Sequence, residues 1–259
     1  MNSAKLAIDL NSDMGEGFGP YNIGSDEEMI RYISSANIAC GMHAGDPNWM
    51  EQTVKLAENF GVGIGAHPGL PDRQGFGRRH IEVSVSDARN DVVYQIGALA
   101  AFTKNKSLQH VKIHGAMYNS AAYREDLGKA ICRAVLDVDK DMILVVLAGS
   151  PWVGWAKKMG LLVAEEVFAD RAINHDGSLV SRSIAGAVIS DLDEVVKRSI
   201  RMVVEGKAQT IDGQEVSVNA QTLSLHSDTP GSVNMAEGIS VGLREAGVQI
   251  KPIREIVKG

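Results

Sequence analysis

Short runs in which apolar residues alternate with small or polar ones recur along the chain. Each is followed by a polar loop and then by apolar residues at helical spacing. These runs, with the continuous apolar run 142–148, predict strands over residues 5–12, 35–40, 62–66, 110–114, 142–148, 162–168 and 221–225. Helical spacing predicts helices over 25–33, 47–60, 86–105, 122–136, 152–159, 191–205 and 232–246. A turn is expected over 115–119, a loop over 172–190, and a small hairpin over 208–218 around Asp212-Gly213. Two helix starts are marked by their chemistry. Ser25 and Glu28 have the spacing of a capping box. Asp46 is an N-cap with Pro47 at the first helical position, Met50, Val54, Ala57 and Phe60 make an apolar stripe, and Gly61 closes the helix.

The facing of the strands narrows the fold. In the first, Ile8 and Leu10 lie on one side and Asp9, Asn11 and Asp13 on the other. In the third, Gly63, Gly65 and His67 share a side; in the fourth, His110, Lys112 and His114 do. An open, doubly wound sheet meets helices on both faces and would be apolar on both. A closed barrel turns one face to its axis, and ligands bind where that axis opens at the C-terminal strand ends. The pattern therefore predicts an α/β fold, a seven-stranded, irregular β/α barrel in a single domain over residues 1–259, with a deep polar site.

Composition sets the outer bounds. The 259 residues are 44% hydrophobic and 22% charged, as in a soluble globular protein. A net charge of −6 argues against nucleic acid or an anionic membrane as partner. Cys40 and Cys132 show no CxxC or zinc spacing and are expected as reduced thiols in a cytoplasmic protein. Residues 1–10 lack the apolar core of a signal peptide, and the run 142–148 is too short to span a bilayer.

His43, His67, His114 and His226 each stand at or just past a predicted strand end, so one barrel mouth would gather them. A single such histidine is most simply structural; four converging ones point to a site. His80, His110 and His175 lack that placement. Asp13, Glu16, Asp46 and Asp228 lie in the same strand-end loops and could join the histidines around a divalent metal, with Asp13, His43 and His67 as candidate ligands, or act as acids and bases. Asp46 is equally well explained as a cap. Lys112 points inward, which is costly without an acid partner or a bound anion. Arg78 and Arg79 could grip a carboxylate or phosphate. Glu166, Asp170 and Arg171 follow the sixth strand as an ion-pair set or as part of the site. The chain has no GxxxxGK[ST] loop, no HExxH and no GxSxG, and its Gly15-x-Gly17-x-Gly19 lacks the GxGxxG spacing.

Several longer stretches resemble one family. They are 8–11 with Asp13-Met14-Gly15-Glu16, 35–41 with His43-Ala44-Gly45-Asp46-Pro47, Ile64-Gly65-Ala66-His67-Pro68 and Gly75-Phe76-Gly77-Arg78-Arg79. Tyr94-Gln95-Ile96-Gly97-Ala98-Leu99, His110-Val111-Lys112 with His114-Gly115-Ala116, 166–171, and His226 with Asp228-Thr229-Pro230 complete the likeness. Together they resemble the LamB/YcsF family, the A subunit of the prokaryotic ATP-dependent 5-oxoprolinase, over nearly the whole chain. The resemblance implies a barrel of the glycoside hydrolase/deacetylase group. It also implies cleavage of 5-oxo-L-proline to L-glutamate with ATP hydrolysis, in a complex with subunits B and C. Departures from the family pattern are Ser12 and Ser224 where cysteine is expected, Ile113 for proline, Gln221 for aspartate and Ser227 for glycine. A thiol nucleophile at 12 or 224 is excluded. Two other functions remain open on the residues: a metal-dependent hydrolase of the deacetylase type, and a non-catalytic subunit that binds substrate.

Overall fold

A computed structural model describes residues 6–225 and 231–257. In chain order it runs β1 (Ala7–Met14), α1 (Asp26–Met29), β2 (Ser35–Ala39), α2 (Pro47–Phe60), β3 (Gly63–His67), α3 (Val85–Ala100) and β4 (His110–Lys112). Then come α4 (Gly115–Ala121), α5 (Glu125–Val138), β5 (Ile143–Leu147), α6 (Pro151–Lys158), β6 (Leu162–Phe168) and α7 (Leu192–Val204). The chain continues through β7 (Lys207–Gln209), β8 (Glu215–Ser217), β9 (Thr222–Leu225), α8 (Ser232–Glu245), β10 (Gln249–Ile250) and α9 (Ile253–Val257). Strands β1 to β6 pair in sequence, and β9 pairs with both β6 and β1. Seven parallel strands thus close into a barrel with helices around it. β7 and β8 form the hairpin outside it, and β10 extends the start of β1.

Local chemistry explains most boundaries. Asp46 caps α2 as expected, its Oδ1 accepting the Asn48 and Trp49 amides at 2.9 and 3.0 Å, and Gly61 ends the helix at φ 67°. Its buried stripe is Met50, Val54 and Ala57, while Phe60 stays exposed beneath the Arg31 guanidinium. The capping box at Ser25 does not form. Ser25 sits at φ −126°, ψ 58°, outside the extended conformation that aims a cap hydroxyl at the first turn, and α1 is a single turn. The predicted turn at 115–119 is helical, because Met117, Tyr118 and Ala121 bury one side of α4 and outweigh Gly115. α3 stops at Ala100, where the Thr103 hydroxyl bonds to the Ala100 carbonyl. After β10 the chain folds back over the barrel. Ile253 of α9 is fully buried against Ile143, Val145 and Ala164, on the inner face of the barrel.

Register fixes what faces the axis. Asp13 pairs with Asn37, Asn37 with Gly65, Gly65 with His110, and Lys112 with Val145. Partners in a ladder point the same way, so the interior of this barrel is largely polar where branched apolar residues are usual. Lys112 Nζ is its centre. It donates to Asp13 Oδ1 and Ser224 Oγ, each at 2.9 Å, and to Asn11 Oδ1 at 3.2 Å, and lies 3.0 Å from Glu166 Oε1. Burial alone would lower its pKa; Asp13 and Glu166 outweigh that and hold the ammonium above its ordinary range. Asn37 donates to Asn11 Oδ1 and Asp13 Oδ1, and Tyr118 to Glu166 Oε2. His110 donates to Asn37 Oδ1 at 2.8 Å and is structural; burial and then the charge of Lys112 push its pKa down to about 3. Gly65 makes room for it: a Cβ there would collide with the His110 imidazole. Lower down, Asp9 accepts Ser34, Ser35 and Thr222, and burial pushes its carboxyl up to about 6 against those three bonds.

Two variants test these supports. Asp46→Ala removes both bonds to the first turn of α2 and should cost about 1–2 kcal/mol of stability in urea unfolding; an unchanged midpoint would show that the cap is idle. Lys112→Met leaves Asp13 and Glu166 buried without a counter-charge. It should cost roughly 3–5 kcal/mol, with part recovered in the Lys112→Met/Glu166→Gln double variant. No loss, or no recovery, would contradict the charge assignment.

Candidate active site

Four chain segments bring donor atoms to the mouth of the barrel. Asp13 lies at the end of β1, with Glu16 in the loop just after it; His43 lies between β2 and α2; His67 is the last residue of β3; His114 precedes α4. All five are buried. Asp13, His67 and His114 line a cavity of about 500 Å3, together with Lys112, Arg78, Arg171 and Arg182.

The histidines pack as a unit. The rings of His43 and His114 stack with centroids 3.8 Å apart, and His67 meets both edge-on. Their protons follow from their partners. His67 Nδ1 lies 2.8 Å from the Lys112 carbonyl oxygen, an acceptor only, so this nitrogen carries the hydrogen and Nε2 the lone pair. His114 Nε2 donates likewise to the Phe76 carbonyl at 2.8 Å, leaving the lone pair on Nδ1. The two lone-pair nitrogens face each other at 2.9 Å. Glu16 Oε1 stands 3.2 Å from His43 Nε2 and 3.6 Å from His114 Nδ1, and Asp13 Oδ2 stands 3.4 Å from His67 Nε2. So many electron-rich atoms repel one another unless a cation lies among them. Burial first, then the neighbouring imidazoles, hold His43 and His114 well below the usual histidine range.

The donor set fits a divalent metal. One atom from each of Glu16, His43, His67 and His114 lies within 4.8 Å of all the others. A tetrahedral ion bonded at about 2.0–2.1 Å has edges of about 3.3 Å, and the separations of 2.9, 3.2 and 3.6 Å bracket that value. The expected trio of Asp13, His43 and His67 changes in this light. Asp13 spends one oxygen on Lys112, and Glu16 and His114 complete the group around His43 and His67.

Other expected site residues divide. Arg78 lines the cavity with its guanidinium 4.8 Å from the Phe76 ring centroid, and Arg171 lines it with Nε and Nη2 bonded to the Ala187 and Val180 carbonyls. Glu166 is buried beneath Lys112, and Asp170 is buried with its charge acting on Arg171. Arg79 turns away to pair with Asp72, and Asp46 is spent on the α2 amides and the Gly19 amide, so neither reaches the cavity. His226, Ser227 and Asp228 lie outside the described residues. Ser12 bonds outward to the Leu225 carbonyl, Ile113 is in the outer apolar core, and Gln221 accepts the Glu165 amide; of the departures among the described residues, only Ser224 reaches the inner network, through Lys112. The sequence did not single out Asn37, visible in the alternation as an inward polar position, or Tyr118 as parts of the site.

Known proteins match the chain in sequence and in fold. The LamB/YcsF family model matches residues 8–258. The A subunit of 5-oxoprolinase from Pyrococcus horikoshii is 49% identical over 255 residues, covering 98% of this chain and all of that one. The crystal structure of the lactam utilization protein from Thermus thermophilus superposes with a TM-score of 0.90 at 43% identity, over 95% of this chain and 99% of that one. The T48 deacetylase shares the fold at a TM-score of 0.50 and 13% identity, over 98% of this chain and 92% of that one. The chain therefore belongs to the LamB/YcsF family.

Proposed function

We propose that this chain is the lactam-opening subunit of a cytoplasmic ATP-dependent 5-oxoprolinase, which converts 5-oxo-L-proline to L-glutamate together with subunits B and C. The observation that carries the proposal is the buried Glu16/His43/His67/His114 group, set beside the Lys112–Asp13 pair at the mouth of a barrel whose sequence relatives are named as the A subunit of that enzyme. Opening the ring forms a bond from a water oxygen to the lactam carbon, breaks the carbon–nitrogen bond and gives the nitrogen a proton. Lys112, fixed by four contacts, presents positive charge on the cavity wall where negative charge would develop on the lactam oxygen. Asp13 Oδ2, facing His67 rather than Lys112, is placed to take a proton from the attacking water. The arginines of the cavity wall suit the substrate carboxylate. A divalent ion, held by Glu16, His43, His67 and His114, would supply a fixed positive charge that acidifies water and polarises a carbonyl. The sequence lacks the GxxxxGK[ST] loop, which supports turnover that depends on the partner subunits. The same histidine group also favours a second reading, a metal-dependent hydrolase that works alone.

Reconstitution separates the two. The purified chain should not consume 5-oxoproline; with its cognate B and C subunits it should release glutamate and phosphate in step. His114→Ala should lower that rate by about a hundredfold or more while the subunits still assemble. Robust turnover by the isolated chain would favour the second reading, and an inactive complete set would overturn the first.

A further inference from the structure

The turn that carries Glu16 is tightly held. Gly15, in the left-handed region at φ 66°, has little room for a side chain: a Cβ there would stand 3.0 Å from Thr53 Oγ1 and 3.1 Å from Ile38 Cγ2. Its carbonyl oxygen lies against the turn after His43, where a Cβ on Gly45 would stand 3.0 Å from it. Its amide donates to Asp26 Oδ2 at 2.8 Å. Asp26 is the first residue of α1, and Met29 and Ile30 bury that single turn in the core, so the carboxylate meets the Gly15 amide from a fixed base. The arrangement is costly. Asp26 Oδ1 is buried without a hydrogen-bond partner. Burial pushes the carboxyl up to about 6; the Gly15 amide opposes the rise and the charge of Glu16 adds to it. The bond obtained at that cost falls on the residue just before Glu16, the one carboxylate in the group with His43, His67 and His114. Ligand bonds tolerate displacements of only about 0.2 Å, and a charge-assisted bond is the stronger anchor.

We propose that Asp26 is the positioning residue of the donor group: through the Gly15 amide it fixes the turn from which Glu16 reaches a bound divalent cation. The proposal rests on the reading of Glu16 as a ligand. Asp26 adds no ligand of its own. It maintains the separation of Glu16 Oε1 from the imidazoles of His43 and His114, 3.2 and 3.6 Å. An uncharged side chain with the same acceptor should serve in its place, and a side chain without one should not.

Calorimetric titration of the isolated chain with zinc tests the assignment, with Asp26→Ala, Asp26→Asn, Glu16→Gln and Asp191→Ala beside the unaltered protein. Asp191 caps α7 through the Glu194 amide and is not part of the cavity wall, so its variant loses stability without touching the donor group. Asp26→Ala should bind zinc about tenfold or more weakly than the unaltered chain. Asp26→Asn, which keeps the acceptor, should stay within about threefold of it. Asp191→Ala should melt at a lower temperature and bind zinc undiminished. Full affinity in Asp26→Ala beside a weakened Glu16→Gln overturns the positioning role alone. A loss in Asp26→Asn of tenfold or more, on the order of that expected for the alanine variant, also overturns it, because the charge at 26 would then be what matters. An equal loss in Asp191→Ala overturns it as well, because the effect would then be one of stability. Absence of zinc uptake by the unaltered chain, or undiminished affinity in Glu16→Gln, overturns the ligand reading of Glu16 and the proposal with it.

Discussion

One ammonium group sits where the barrel would ordinarily be filled with branched aliphatic side chains. Lys112 Nζ is 3% exposed and touches Asp13, Glu166, Asn11 and Ser224, contributed by three different strands. A charge in that position is tolerable only if every neighbour is oriented to meet it. Asn37 therefore donates to Asn11 and Asp13, His110 donates to Asn37, and Tyr118 donates to Glu166. The polar interior is one connected network, and the glycines of β3 leave the volume it needs. Below it, Ile253 closes the barrel with an apolar plug.

The same network sets the site at the mouth. Asp13 shares its oxygens between Lys112 and His67, so the interior charge and the histidine group are linked through a single carboxylate. The backbone carbonyl of Lys112 fixes the tautomer of His67, and that of Phe76 fixes His114. Phe76 holds its carbonyl in place with a left-handed backbone, φ 53°, which is uncommon for a bulky residue and typical of functional loops. Its loop is pinned at both ends. Gln95 clamps the backbone of Gly69 from α3, and Asp72 binds Arg79. Arg79 thus serves the site by holding this loop.

Much of this was legible in the alternation of side chains. Strands whose apolar residues faced one way and whose Asp, Asn, Gly, Lys and His faced the other could be buried on only one side by helices, which is why a barrel followed from the pattern. Convergence of His43, His67 and His114 at strand ends was legible for the same reason. What could not be read was competition between local and distant partners. Ser25 had the sequence of a cap, but its backbone does not adopt the conformation of one. Arg78 and Arg79 looked equivalent until Asp72 claimed one of them. Asp13 looked a better ligand than Glu16 until Lys112, across the barrel, engaged Asp13. Such choices depend on side chains that meet only in the folded barrel, where spacing along the chain carries no information.

The central claim is that the electron-rich group at the mouth is completed by a metal cation. Cobalt(II) titration of the isolated chain, followed by visible absorption, tests it most directly. The account predicts uptake of one ion per chain with the intense ligand-field bands of a low-symmetry, four-coordinate nitrogen and oxygen site, and loss of those bands in Glu16→Gln and His67→Ala variants that remain folded. Failure of the chain to take up the ion, or bands unchanged in both variants, would contradict it.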